Sequence, residues 1–185
     1  TTGVPRYETG PYGDANPAVA SDINSIYQIP LDPSYDDSGD PAALGLGAMG
    51  IFVNGVAIFN AEDGVTYNDQ NLWHRNAILA EADGFDSCEG HPAPVMGGGT
   101  VDGFTAGFYH HHLKSQCLLD QLGDHGSGHS PILGFAADGF PVYGPHGYVD
   151  PTDATSSVVR IESSYEARNI SVRTTLPDGT VLAPA

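Results

Sequence analysis

The stretch Tyr109-His110-His111-His112 places three of the chain's eight histidines side by side. On a β-strand, side chains alternate faces, so His110 and His112 share one face while Tyr109 and His111 share the other. Imidazoles at i and i+2 on one strand can bind one metal ion. Further ligands must come from another segment, and His91 and His129 are the nearest candidates in sequence. Imidazole suits copper, zinc, iron and nickel, and copper or zinc is the expectation here. Ligating histidines normally donate their second ring N–H to a carboxylate or carbonyl. Asp86 and Asp138 are candidates for that role, with Tyr109 and Tyr143 close to the site. The competing reading is that the histidines are structural or decorate the surface; a terminal tag is ruled out because the run is internal.

Three function classes follow. Three protein ligands leave room for water or substrate, which suits a metal-dependent hydrolase or, with copper, an oxidoreductase. A metal-free hydrolase would use Ser130 with a histidine base, but His129-Ser130-Pro131 lacks the G-x-S-x-G elbow. The alternative to an enzyme is a non-catalytic extracellular binding, matrix or metal-sequestering module. Gly97-Gly98-Gly99 is not a phosphate loop, because no Lys-Ser/Thr follows and no apolar strand precedes it.

The two cysteines, Cys88 and Cys117, flank His91 and the run from Tyr109 to His112. A disulfide between them would stabilise the fold by about 3–4 kcal/mol and would imply an oxidising compartment. The other reading is a pair of thiolate ligands, although no CxxC knuckle is present. The expected location is therefore secreted, extracellular or periplasmic.

These motifs together carry a resemblance. Asp86-Ser87-Cys88-Glu89-Gly90-His91, Tyr109-His110-His111-His112, Cys117 and the run from His129-Ser130-Pro131 to Tyr143-Gly144-Pro145 resemble the YHYH domain family. Gly50-Ile51-Phe52-Val53-Asn54-Gly55-Val56 and Ser163-Ser164-Tyr165 extend the likeness, over about residues 44 to 170. The resemblance implies mostly bacterial, exported proteins with a polar site built on histidines, and it names no reaction. Two departures stand out: His111 occupies the position of the motif's second tyrosine, and the spacer from His91 to Tyr109 is glycine-rich and long.

A chain of 185 residues fits one domain. A net charge of −17, with six basic residues, disfavours nucleic acid and anionic membranes as partners. No run approaches the ~20 apolar residues of a membrane-spanning helix. Acidic turns such as Asp36-Asp37-Ser38-Gly39-Asp40 could hold calcium, without the full spacing of an EF-hand loop. Most of the carboxylates read simply as a solvated surface.

The elements needed to position the site are mostly strands. Residues 1–43 read as an extended Gly/Pro/Asp-rich segment with a short strand near Ile26 to Leu31, and residues 44–185 as the β domain. Asn54-Gly55 and Asp138-Gly139 predict two hairpins with type I′ turns, in which Phe135 and Phe140 pack in the core and Asp138 faces the histidines. Asn68 to Ala82 predicts a helix anchored by Trp73, with His74 on its surface, and Pro92 to Gly103 a loop. Later strands are expected at Val158–Ile161 and Ile170–Thr174, with a turn at Pro177 to Thr180. The expected fold is mainly β: a single loop-rich domain of β-hairpins or sandwich-like sheets with one short helix. Val181 and Leu182 predict a terminal strand without a partner in the chain. That points to self-association or to a missing partner segment in a processed chain, the alternative being a tail that lies on its own domain and covers that edge.

Overall fold

The computed structural model describes residues 18–39, 44–101, 103–165, 174–176 and 178–182. The fold is mainly β, with ten strands among the described residues: β1 (Ala18–Ala20), β2 (Ala48–Phe52), β3 (Ala57–Phe59), β4 (His91–Pro94), β5 (Thr100–Val101), β6 (Phe104–His111), β7 (Ile132–Ala136), β8 (Pro141–Tyr143), β9 (His146–Tyr148) and β10 (Val158–Arg160). Two helices, α1 (Ala77–Ala80) and α2 (Gln116–Leu122), join them. β1 to β8 form one sheet, and β9 pairs with β10 in a second.

β6 organises the large sheet. It pairs parallel with β1 and β3 and antiparallel with β4 and β5. Phe52, Val56, Tyr109, Leu118, Leu119 and Leu133 pack as the buried core. Thus β2, β6, β7 and α2 each contribute apolar side chains to one cluster. The helix α2 is well delimited. The Ser115 hydroxyl accepts the Leu118 N–H at its start, and Gly123 ends it in the left-handed region (φ 72°).

Several local expectations are corrected. Both hairpins form, but with three-residue loops. In each, only the glycine has positive φ, Gly55 at 85° and Gly139 at 96°. The Gly55 N–H donates to the Phe52 carbonyl, and the Gly139 N–H to that of Ala136. This is the tight turn followed by a left-handed residue that a β-bulge uses, and it asks nothing unusual of Asn54 or Asp138. Phe135 and Phe140 are half-buried, and Phe140 meets Tyr35 at a ring separation of 4.6 Å.

The long helix is also absent. Asn68, Asp69, Asn71 and Trp73 all have positive φ, which no α-helix tolerates. The Thr66 hydroxyl accepts the Asn71 N–H, competing with a helical ladder. Helix begins only after Asn76, whose side chain caps the Leu79 N–H. Trp73 is half-buried against Tyr67, and His74 bonds the Asp63 carbonyl through Nδ1.

Pro92 and Pro94, expected in a loop, lie in β4. That strand pairs with β6 alone, and an edge strand tolerates prolines because their missing N–H costs no ladder bond. At the N-terminal side, Ile26 to Leu31 is not a strand, and Ile26 and Leu31 are exposed. The strand there is β1, with Ala18 and Val19 buried against β6. At the other end, residues 170–173 of the strand expected at Ile170–Thr174, and Pro177, lie outside the described residues. Val181 does find a partner in its own chain: it bridges to Thr175 across the turn at Asp178 and Gly179, and the Leu182 N–H donates to the Thr174 carbonyl.

Candidate metal centre

The antiparallel register of β4 and β6 sets His91 directly opposite His110. His112 follows two residues later on the same face. Glu81, at the C-terminal end of α1, completes the group. One donor atom from each of Glu81, His91, His110 and His112 lies within 4.8 Å of the others. His110 Nε2 is 3.1 Å from His91 Nε2 and 3.0 Å from His112 Nε2. Glu81 Oε2 is 2.8 Å from His91 Nε2 and 3.2 Å from His112 Nε2.

The backbone settles the tautomers of two rings. His110 Nδ1 sits 2.9 Å from the Phe108 carbonyl, and His112 Nδ1 2.5 Å from the Asn60 carbonyl. A carbonyl oxygen only accepts, so both Nδ1 atoms carry the proton and donate it. That leaves Nε2 as the atom each ring can offer a ligand, and the two Nε2 atoms lie 3.0 Å apart. Beside the Glu81 carboxylate these atoms form a set that a proton or a metal cation can occupy. β3 helps to arrange this: its parallel register against β6 carries the chain on to Asn60 beside His112.

Aromatic rings wall the group. Phe59 stacks on His110 at 3.8 Å, and Phe85 meets His91 edge-on at 5.1 Å. The resulting burial holds the His110 imidazole down to about 3; the charges of His91 and His112 add to this, while the Phe108 carbonyl and Glu81 oppose it. Burial also works against a charged His112, but Glu81 and the Asn60 carbonyl outweigh it and raise that ring above its ordinary value. Burial pushes the Glu81 carboxyl upward, yet the hydrogen bonds and charges of His112 and His91 prevail and hold it far below the usual carboxylate range. The cluster thus keeps an anionic carboxylate and a neutral His110 at neutral pH. It opens into a cavity of about 540 Å³ walled in part by Leu46, Phe59, Ala93 and Pro94.

The opposite face of β6 is structural. The Tyr109 hydroxyl donates to Asp86 Oδ2 at 2.6 Å. Asp86 Oδ1 accepts the N–H groups of Cys88 and Gly90. Asp86 therefore fastens the turn that leads into His91 instead of touching a ligand ring. His111 Nδ1 bonds the Glu89 carbonyl, and the ring packs edge-on against Phe52 and Tyr109. Burial depresses its basicity, opposed by the Glu89 carbonyl. Gly90 must be glycine here: a Cβ would stand 2.5 Å from the Tyr109 hydroxyl and 2.8 Å from the His111 ring. Cys88 and Cys117 form a disulfide, so neither is a thiolate ligand.

The remaining candidates sit elsewhere. His129 packs against Tyr143 and Tyr148 and donates from Nδ1 to the Ser130 carbonyl. It is not among the four grouped residues. Asp138 is exposed at its turn, where it accepts the Phe140 N–H. Ser130 is buried and donates to Asp124 Oδ2 at 2.5 Å, while His146 Nδ1 lies 3.2 Å from Asp124 Oδ1. Serine and histidine thus share a carboxylate instead of forming a serine-histidine-carboxylate relay, so this histidine is not placed to take the serine proton. Asp36, of the acidic turn proposed for calcium, accepts the Ser38 N–H, and Asp40 lies outside the described residues. Among the described residues the only group of three or more donors fit for a metal is the one at Glu81. Glu81 was missed by sequence reading. An acidic residue ten positions before His91, near the end of a stretch read as one helix, gives no local signal of its own.

A mainly β protein with three histidines and one carboxylate converging beside a cavity defines the structural class. The chain belongs to the YHYH protein family, whose profile matches residues 26–183. No curated protein and no solved structure matches it. The family motif acquires a physical meaning here. Its histidine positions, His110 and His112, face the candidate centre, and its tyrosine positions, Tyr109 and His111, face the core. Among the described residues no helix is long and apolar enough to cross a membrane.

Proposed function

We propose that this protein binds a single transition-metal ion, copper or zinc, through His91, His110, His112 and Glu81. The observation that carries the reading is the convergence of the Nε2 atoms of His91, His110 and His112 on the Glu81 carboxylate, with the Nδ1 atoms of His110 and His112 already committed to carbonyls. Three imidazoles and a carboxylate suit either metal, and a bound ion would supply Lewis acidity with zinc or, with copper, redox chemistry. The cavity at the group supports a metal-dependent hydrolase or oxidoreductase acting on a small molecule. The disulfide supports a secreted, extracellular or periplasmic location.

A second reading is a non-catalytic metal-sequestering module. It is favoured by one feature: four protein donors are already gathered, the number that a closed structural site uses. Mass-spectrometric metal analysis of natively purified protein tests the common claim. About one ion per chain is expected, lost in His110→Ala and His112→Ala. Metal content equal to the parent in both variants would overturn it. Turnover assays on metal-loaded and chelated protein then separate the two readings.

A further inference from the structure

Of the three histidines at the centre, only His112 lies outside the strands. β6 ends at His111, whose partner on β3 is Ile58. His110 anchors its second nitrogen within its own strand, at the Phe108 carbonyl. His112 reaches across the fold instead, to the carbonyl of Asn60, one residue past the end of β3. Neither residue lies in a strand, so the sheet does not aim that carbonyl. The Asn60 side chain is placed to do so. It belongs to a buried residue, 9% exposed. Its Oδ1 accepts the Glu62 N–H at 2.7 Å, a turn in which the side chain fixes its own backbone. Its Nδ2 donates to the Gly45 carbonyl at 3.0 Å. The two bonds end on the segments that wall the cavity, at Leu46 and Gly47 on one side and at Glu62 and Asp63 on the other.

We infer that Asn60 is a positioning residue of the metal centre: its side chain fixes the direction of its own carbonyl, and through it the ring of His112. The inference rests on the reading of Glu81 and the three histidines as a metal centre. It goes beyond that reading by assigning control of the ion's affinity to a residue outside the donor set. A ligating imidazole stays on its metal when its second nitrogen is anchored, and loss of such an anchor costs roughly 10–100-fold in affinity. In Asn60→Ala the carbonyl remains as an acceptor for His112, but the two bonds that hold it in place are gone. In Asn60→Ser the hydroxyl can still accept the Glu62 N–H, more weakly, while the amide that reaches Gly45 is lost.

Two measurements on the full chain test it: zinc affinity by competition with a chromophoric chelator, and the visible absorption of cobalt(II)-loaded protein, which follows the arrangement of the ligands. The melt of metal-free protein is recorded for each variant. Asn60→Ala should bind zinc roughly 10-fold more weakly or worse and shift the cobalt bands. Asn60→Ser should fall between Asn60→Ala and the parent in both. An Asn60→Ala protein that melts lower yet keeps parental zinc affinity and parental cobalt bands would make Asn60 a support of the fold alone and overturn the inference. Asn60→Ser binding no better than Asn60→Ala would overturn it too. If Asn60→Ala does not fold, Asn60→Ser decides: zinc held a few-fold more weakly supports the inference, and parental affinity ends it. Parent protein that takes up neither zinc nor cobalt would end the metal-centre reading itself, and the inference with it.

Discussion

Replacing Tyr109 with phenylalanine removes one oxygen atom and tests which face of β6 does what. The hydroxyl donates to the buried Asp86 carboxylate at 2.6 Å, and both residues are at most 6% exposed. A hydrogen bond to a charged partner contributes about 2–3 kcal/mol when its loss strips a donor from a buried carboxylate. The phenyl ring itself stays, so no side-chain-sized cavity opens. For a chain of this size each kcal/mol moves the melting temperature by about 2–4 °C, giving an expected fall of roughly 4–12 °C. The melt should be followed by circular dichroism on chelated protein, because a bound ion would stabilise the native state by mass action and mask the loss. Metal content should be unchanged, since Tyr109 points away from His110 and His112. A melting temperature within about a degree of the parent would refute the role given to the Tyr109–Asp86 contact. Loss of metal without loss of stability would refute the division of faces itself.

Three further outcomes are expected. His111→Tyr, which restores the family's tyrosine, should keep its metal, whereas Glu81→Gln should bind metal more weakly; equal loss in both, measured by competition with a chromophoric chelator, would contradict the alternation. Metal-stripped protein should lose stability as pH falls from about 6.5 toward 3: the unfolded His110 takes up a proton there while burial keeps the folded ring neutral down to about 3. Thermal melts across that range should show a shallower slope in His110→Gln, and an equal slope would discount the His110 contribution. Replacing both Cys88 and Cys117 with serine should cost about 3–4 kcal/mol and weaken metal binding, because Cys88 anchors the turn before His91. Denaturant midpoints read the first effect and chelator competition the second.

Much of the centre was legible in the alternation of Tyr109 to His112, because a period of two needs no knowledge of the rest of the fold. His91 was legible through its closeness to Cys88. His129 and Asp138 were not placed by any such rule. Closeness in sequence suggested them, and the chain carries them to the Tyr143–Tyr148 side and to an exposed turn. Glu81 was hidden by the failure of the helix at residues 68–73. Apolar spacing there resembles a helix, but Asn68, Asp69 and Asn71 accept left-handed backbone that breaks it. Asn54-Gly55 and Asp138-Gly139 located both hairpins, while the turn type depended on loop length, which dipeptide chemistry does not encode. The pairing of β4 with β6, on which the opposition of His91 and His110 depends, crosses a glycine-rich spacer whose register has no local marker.

The division of β6 into a histidine face and a core face also sets what kind of change the protein can absorb. Substitution at 111 exchanges one ring for another in a fixed place. Insertion or deletion of a single residue within Phe104–His111 would rotate every later side chain to the other side of the sheet. Tyr109 and His111 would then turn toward Glu81, and His110 and His112 would be driven into Phe52 and Leu118. Length, more than composition, is therefore the property of this strand that descent must preserve, and natural variation within it should consist of replacements without gaps.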